Sequence, residues 1–336
     1  MKYFIILFFL CLIFSSDGFC QVKKAQVGFR FLENQVSAEA IGRGGMGLVL
    51  SRNANAVFWN PAGLGWMEGQ YDLSINYTAG IADINHSSVA AALNLTDWGV
   101  FALDLIVMDY GDFYGTRRAD NEQGFEETGV FSPASYAVGL SYSRKVSDRF
   151  SFGVHVKYAS QDLGSAWVGA TGSDVGDPDL TMAQKDYQLG QMALDVGAVY
   201  DFLYSGLRFG ATIQNVSREI KYEEEKFPLP FAAGFSLAMA PLQLFSVDHP
   251  EGDLQVGFET RHPRDFKEKY KFGAEYLYRD LIVFRTGYMM NYDEQGLTFG
   301  LGVRQSFLNT FMRLDYAFQD FGIFGIVHTF SFGFYR

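Results

Sequence analysis

From Gln70 to Arg336 the sequence divides into fourteen stretches of about 8 to 12 residues in which apolar side chains alternate with small or polar ones. Successive side chains of a strand point to opposite faces, so a period of two makes one face greasy and leaves the other polar. The last stretch shows it best: in His328-Thr329-Phe330-Ser331-Phe332-Gly333-Phe334-Tyr335-Arg336 a large ring recurs at every second position. Earlier stripes run through Tyr71, Leu73, Ile75 and Tyr77, through Val89, Ala91 and Leu93, and through Phe101, Leu103, Leu105 and Val107. Tyr136 to Tyr142 and Phe150 to Tyr158 follow, then stretches at 192–202, 207–213, 231–239, 254–258, 272–278, 282–288, 297–303 and 312–318.

Fourteen one-sided strands need an apolar medium. After the first twenty residues there is no run of about 20 apolar residues, so no helix is expected to cross a bilayer. A closed barrel is the other structure that satisfies every backbone group in lipid, and strands of this length suit it. Aromatic residues at 17% support this, because rings at stripe ends form the girdles at the headgroups. The expected fold class is all-β: a transmembrane antiparallel β-barrel of about 14 strands with a short N-terminal helical or loop hatch.

The chain opens with Lys2, an apolar run from Phe4 to Phe14, and Ser15-Ser16-Asp17-Gly18-Phe19-Cys20 before Gln21. This has the make-up of a secretory signal, with Gly18 and Cys20 as the small residues a signal peptidase accepts. The expected organisation is therefore a signal peptide over 1–20, a hatch or cap over 21–69 and an outer-membrane barrel over 70–336. Both cysteines, Cys11 and Cys20, fall in the leader, which leaves the mature chain without thiol or disulfide chemistry. The net charge of −11 argues against a nucleic-acid partner.

Connections alternate in length. Short turns such as Thr96-Asp97-Trp98-Gly99, Val146-Ser147-Asp148-Arg149 and Arg279-Asp280 follow even-numbered segments, while long polar loops at 109–132 and 161–188 follow odd ones. Short turns belong to the periplasmic side and long loops to the outside, which places both chain ends in the periplasm. The link at 240–252 is long where a short one is expected, so the strand count is open there.

The inward stripe carries glycines and charges of both signs. The glycines include Gly139, Gly153, Gly197, Gly257, Gly273, Gly300, Gly302 and Gly333. The charges are Asp72, Asp104, His155, Lys157, Asp195, Glu259, Lys271, Glu275, Arg285, Arg304, Arg313 and Asp315, and a polar interior is what a lumen requires. These groups are expected to pair across the lumen. Of the five histidines only His155 is expected to face inward from within a strand; His86, His249 and His262 fall in or near connections, and His328 points outward.

Ahead of the first stripe stand Gly42-Arg43-Gly44-Gly45-Met46-Gly47 and Ala56-Val57-Phe58-Trp59-Asn60-Pro61-Ala62-Gly63-Leu64. The glycine cluster lacks the Gly-Lys-Ser/Thr ending of a phosphate loop. Asn60-Pro61 fits the start of a short helix, since Asn caps and Pro suits the first turn. These two blocks, with the closing strand and Leu314-Asp315-Tyr316-Ala317-Phe318, resemble the PorV/PorQ family, which is similar to FadL-type long-chain fatty-acid transporters. The resemblance covers the whole mature chain; one departure is Arg336 after Tyr335, where an aromatic last residue is usual.

The resemblance implies a fourteen-stranded barrel in the outer membrane of a Gram-negative bacterium, with outer-membrane lipid around it. Asn60, Pro61, Ala62, Gly63 and Leu64 match a hatch motif, either gating the lumen or closing its periplasmic end as a capped helix. PorV-type members resemble accessory parts of the type IX secretion system, which implies secreted cargo proteins and secretion-system subunits as partners. FadL-type members imply passage of hydrophobic small molecules. No catalytic residue, metal site or cofactor is expected: there is no Gly-x-Ser-x-Gly or His-Glu-x-x-His motif, and scattered histidines without cysteine lack ligand spacing.

Overall fold

The computed structural model describes residues 27–171, 181–222, 224–245, 251–307 and 309–336; the leader, its cleavage site and the segment up to Gln26 lie outside the described residues. Fourteen antiparallel strands close into one barrel. In chain order these are β1 (Tyr71–Ala79), β2 (Asn85–Asn94), β3 (Val100–Asp109), β6 (Ala134–Ser147), β7 (Phe150–Thr171), β8 (Thr181–Asp201) and β9 (Arg208–Val216). There follow β12 (Ala232–Met239), β13 (Gly252–Pro263), β14 (Lys269–Tyr278), β15 (Ile282–Met290), β16 (Leu297–Phe307), β17 (Thr310–Asp320) and β18 (Ile326–Tyr335). Two hairpins stand apart from the barrel: β4 (Phe113–Arg118) with β5 (Phe125–Phe131), and β10 (Ile220–Tyr222) with β11 (Glu225–Phe227).

The alternation read in the sequence is the alternation of the wall. In β3, Phe101, Leu103, Leu105 and Val107 face out, while Val100, Ala102, Asp104 and Ile106 are buried. Among the described residues no helix is long and apolar enough to cross a membrane; the chain crosses with strands, and its exposed apolar band is the surface that lipid covers. The barrel closes where β18 pairs with β1, with Phe330 opposite Tyr77 and Phe332 opposite Ile75 on the lipid side and Ser331 opposite Asn76 inside. A further tie comes from the last residue, whose carbonyl accepts from Tyr71 N at 3.0 Å and from Gln70 N.

The strand count, open at 240–252, stands at fourteen: the described part of that link holds a short helix, α2 (Pro241–Leu244), and β12 pairs directly with β13; residues 246–250 lie outside the described set. Three expectations need correction. The outer loops are largely β-structure, with 109–132 containing the β4–β5 hairpin and the β7–β8 ladder running on to Thr171 opposite Thr181. Every residue of β4 and β5 is partly or fully exposed, so neither strand carries the apolar stripe by which a strand is read from sequence. His86 adjoins the β1–β2 connection as expected, yet it lies in β2 and is buried on the inner face, so His155 is not alone among the histidines in facing inward.

The third correction concerns the amino-terminal end. Gly28 N donates to Pro228 O at 3.2 Å and Arg30 Nη1 to Asp265 at 2.8 Å, and both partners belong to connections on the end that carries the hairpins. The described chain thus begins at the outer mouth, not the periplasmic one, and descends through the lumen to enter β1 from below. Phe29 and Phe31 anchor it there, buried with Leu229.

Candidate functional site: the plugged lumen

Residues 27–69 fill the barrel. They form a short helix, α1 (Ala38–Gly42), and single 3-10 turns at Arg30–Glu33, Ala54–Phe58 and Pro61–Trp66. A segment with so little internal pairing must satisfy its backbone elsewhere, and the lumenal side chains of the wall do this. Ser331 Oγ accepts from Ala38 N at 2.8 Å, Thr298 Oγ1 from Gly44 N at 2.9 Å, and Asp72 from Ala54 N at 3.0 Å. Glu259 Oε2 accepts from both Gly47 N and Leu48 N at 3.1 Å, while Lys271 Nζ donates to Gly45 O at 2.7 Å and to Glu259 Oε1 at 2.9 Å.

Asn60 is fully buried and holds three parts of the molecule together. Its Oδ1 accepts from Ala62 N at 3.1 Å, capping the Pro61–Trp66 turn, while Nδ2 donates to Leu48 O at 2.9 Å, Ala198 O at 3.2 Å and Ala211 O at 3.4 Å. Gly197 makes this approach possible, since a Cβ there would stand 1.8 Å from Asn60 Oδ1. Pro61 lies against Gly153, and Ala62 O accepts from Ser151 Oγ at 2.8 Å. Gly63 touches Ser51 O, and Leu64 is buried with Val57, Ala90, Ala92 and Val100. Asn60→Ala removes a cap and orphans buried carbonyls, so we expect a loss of about 2–4 kcal/mol. The check is the temperature at which the barrel loses its compact gel mobility, with Asn60→Gln as the comparison.

The lumenal charges form three groups. Arg285 lies between Glu275 (2.6 Å) and Asp315 (2.5 Å), Arg43 of the plug reaches Glu275 at 2.8 Å, and Arg304, half-buried, stands 3.8 Å from the same carboxylate. Arg313 forks onto both oxygens of Asp72 at 2.7 Å and lies 3.7 Å from Glu39. Burial pushes the Glu39 carboxyl up, but Arg313, Arg285 and Arg43 outweigh it and hold it below the ordinary carboxylate value. On the opposite wall His155 bridges Asp104 and Asp195, each at 3.0 Å, and Lys157 reaches Asp195 at 2.7 Å. The Glu259–Lys271 pair completes the set. The first two groups and this pair bind plug to wall, whereas the His155 group joins wall strands to one another.

Sequence reasoning passed over several members. Gly287 carries no obvious signal, yet a Cβ there would stand 2.0 Å from Gly44 N. Ser74, Asn76, Thr298 and Gln214 look like ordinary inward polar positions; Gln214 Nε2 in fact donates to Trp59 O at 2.9 Å. Only the period-2 register combined with the plug's path could have found them. Among the described residues no group of three or more His, Cys, Asp or Glu side chains is arranged to hold a metal.

Two spaces remain. Toward the outer mouth a cavity of about 490 Å³ lies between plug and wall, lined on one side by Ile41, Phe58, Trp59 and Met108. At the periplasmic end a smaller polar vestibule of about 190 Å³ is lined by Arg43, Arg52, Glu68 and Arg304. Between them lies the 42–48 layer of the plug, in backbone contact with the wall.

A closed fourteen-stranded barrel with its lumen filled by residues 27–69 is a plugged barrel of the outer-membrane class. The fold is similar to that of the Ralstonia pickettii toluene transporter TbuX (TM-score 0.55, 13% identity, 88% of this chain and 96% of that one). It is likewise similar to the Pseudomonas putida toluene transporter TodX (0.56, 11%, 94% and 99%) and to a Pseudomonas aeruginosa FadL homologue (0.54, 13%, 90% and 98%). Residues 21–239, more than half of the sequence, match the family described as Type IX secretion system protein PorV, and the chain belongs to that family. Comparison with curated proteins gives no match.

Proposed function

We propose that this protein is a non-catalytic binding and shuttle component of type IX secretion, receiving exported proteins at its outer face. In this reading residues 1–20 are a cleaved export leader, 21–69 the hatch and 70–336 the barrel. The observation that carries it is the filled lumen: the plug is tied to the wall by buried ion pairs and by backbone contact at 42–48, an arrangement suited to a rigid platform. The membership of the PorV family supports it, as do the β4–β5 and β7–β8 hairpins, which rise beyond the barrel and expose Tyr114, Val130 and Trp167. Outward hairpins on a rigid scaffold are where a partner is held.

A second reading has its own observation. The apolar side of the outer cavity would suit a hydrophobic solute, with Asn60 to Leu64 as the gate of a FadL-like passive channel for long-chain fatty acids. Replacing 113–131 by a short turn in a deletion strain separates the two. Loss of surface-attached exported proteins with unchanged fatty-acid uptake is the expected result; intact attachment together with reduced uptake would overturn the shuttle.

A further inference from the structure

The chain is acidic overall, yet five of its 27 lysines and arginines lie within the eleven residues Arg261 to Lys271, at the outer end of β13 and β14. They do not all face the same way. Arg264 and Lys267 are exposed on the connection, whereas Arg261, Lys269 and Lys271 line the outer cavity, where Arg30 of the plug joins them. Two of these cations already hold carboxylates: Arg30 holds Asp265 at 2.8 Å and Glu33 at 3.1 Å, and Lys271 holds Glu259, while Asp293 and Glu294 line other parts of the cavity.

Two cations are left over. Arg261 has Nε and Nη2 buried without a hydrogen-bond partner, its nearest carboxylate being Glu33 at 3.9 Å. Lys269 has no hydrogen-bond or ion-pair partner among the described residues; its ammonium stands over the rings of Tyr292 and Phe266 at 4.5 and 5.2 Å. Arg261, Arg30 and Lys271 bear on it as like charges, against Glu33. Buried N–H groups without acceptors are costly, and a multi-oxygen anion relieves several at once. Across the same cavity the wall is apolar: Ile81, Ile84, Phe321 and Phe324 line it from the adjoining β1–β2 and β17–β18 connections, and Phe324 is exposed at the rim.

We propose that the outer mouth binds the phosphate group of an amphiphile, with Arg261 and Lys269 on the phosphate and the Ile81–Phe324 wall against the apolar part. A phosphorylated lipid of the outer leaflet has this chemistry and lies beside the site. The cavity is within the usual size for a ligand pocket, which spans roughly 300–1,000 Å³.

The test uses the full mature chain in nanodiscs, with diphosphorylated lipid A as probe and binding read by native mass spectrometry. Arg261→Gln and Lys269→Gln should each weaken binding about tenfold, the size of one charge-assisted contact, and Lys269→Arg should restore most of it. Arg264→Gln, on the exposed connection, should leave binding unchanged. Compact gel mobility of each variant shows that it has folded. Equal binding of the dephosphorylated lipid, or equal loss with Arg264→Gln, would overturn the site. Inorganic phosphate binding as tightly as the lipid would overturn the amphiphile, because the apolar wall would then contribute nothing.

Discussion

Arg313→Leu should destabilise the barrel by about 3–5 kcal/mol, the range for breaking one side of a buried ion pair. The guanidinium is nearly inaccessible and serves three partners: both oxygens of Asp72, Ser74 Oγ at 2.6 Å, and Glu39 at 3.7 Å. Leucine fills much of the volume but leaves the buried Asp72 without its ion-pair partner and Glu39 with only Arg285 and Arg43, and Asp72 is also the acceptor for Ala54 N of the plug. The loss should therefore appear in both plug and wall. Urea unfolding in lipid vesicles measures it, and Arg313→Leu combined with Asp72→Asn should recover part of the difference. A single variant within about 0.5 kcal/mol of the parent, the ordinary range for a surface change, would show that the fork contributes little.

Gly287→Val should leave the wall formed and unseat the plug. Gly287 sits on the inner face of β15, where Gly44 N and Arg43 C would lie 2.0 and 2.4 Å from its Cβ. Gly44 lies flat on the strand backbone, the position of its own absent Cβ being 2.7 Å from Phe272 O and 3.1 Å from Tyr288 N, so there is no gap between plug and wall to take up a side chain. The strand accommodates valine readily, so the strain falls on the 42–48 layer, which would lose its bonds to Thr298, Glu259 and Lys271. That layer separates the outer cavity from the periplasmic vestibule. Conductance across planar bilayers should rise from a closed baseline, and residues 27–69 should become open to protease. Unchanged conductance with an unchanged protease pattern would refute it.

Phe330 and Phe332 were legible from period two alone, because lipid on one side imposes a repeating demand that a strand can meet in only one register. The charges from His155 to Asp315 were legible as inward for the same reason. Which of them meet was not: Arg43 and Glu275 are far apart in sequence, and their contact depends on where the plug runs. The β4–β5 hairpin went unread because water on both faces imposes no alternation.

The sequence by itself determined a closed fourteen-stranded barrel, its lipid face and its polar lumen, since these follow from local side-chain periodicity and the need to pair every backbone group in lipid. Only the tertiary structure decided that residues 27–69 run inward from the outer mouth. The same holds for Asn60, which joins the plug to β8 and β9, and for Arg261 and Lys269, which share one cavity with an apolar wall. Those facts depend on contacts between distant parts of the chain, and no local pattern encodes them.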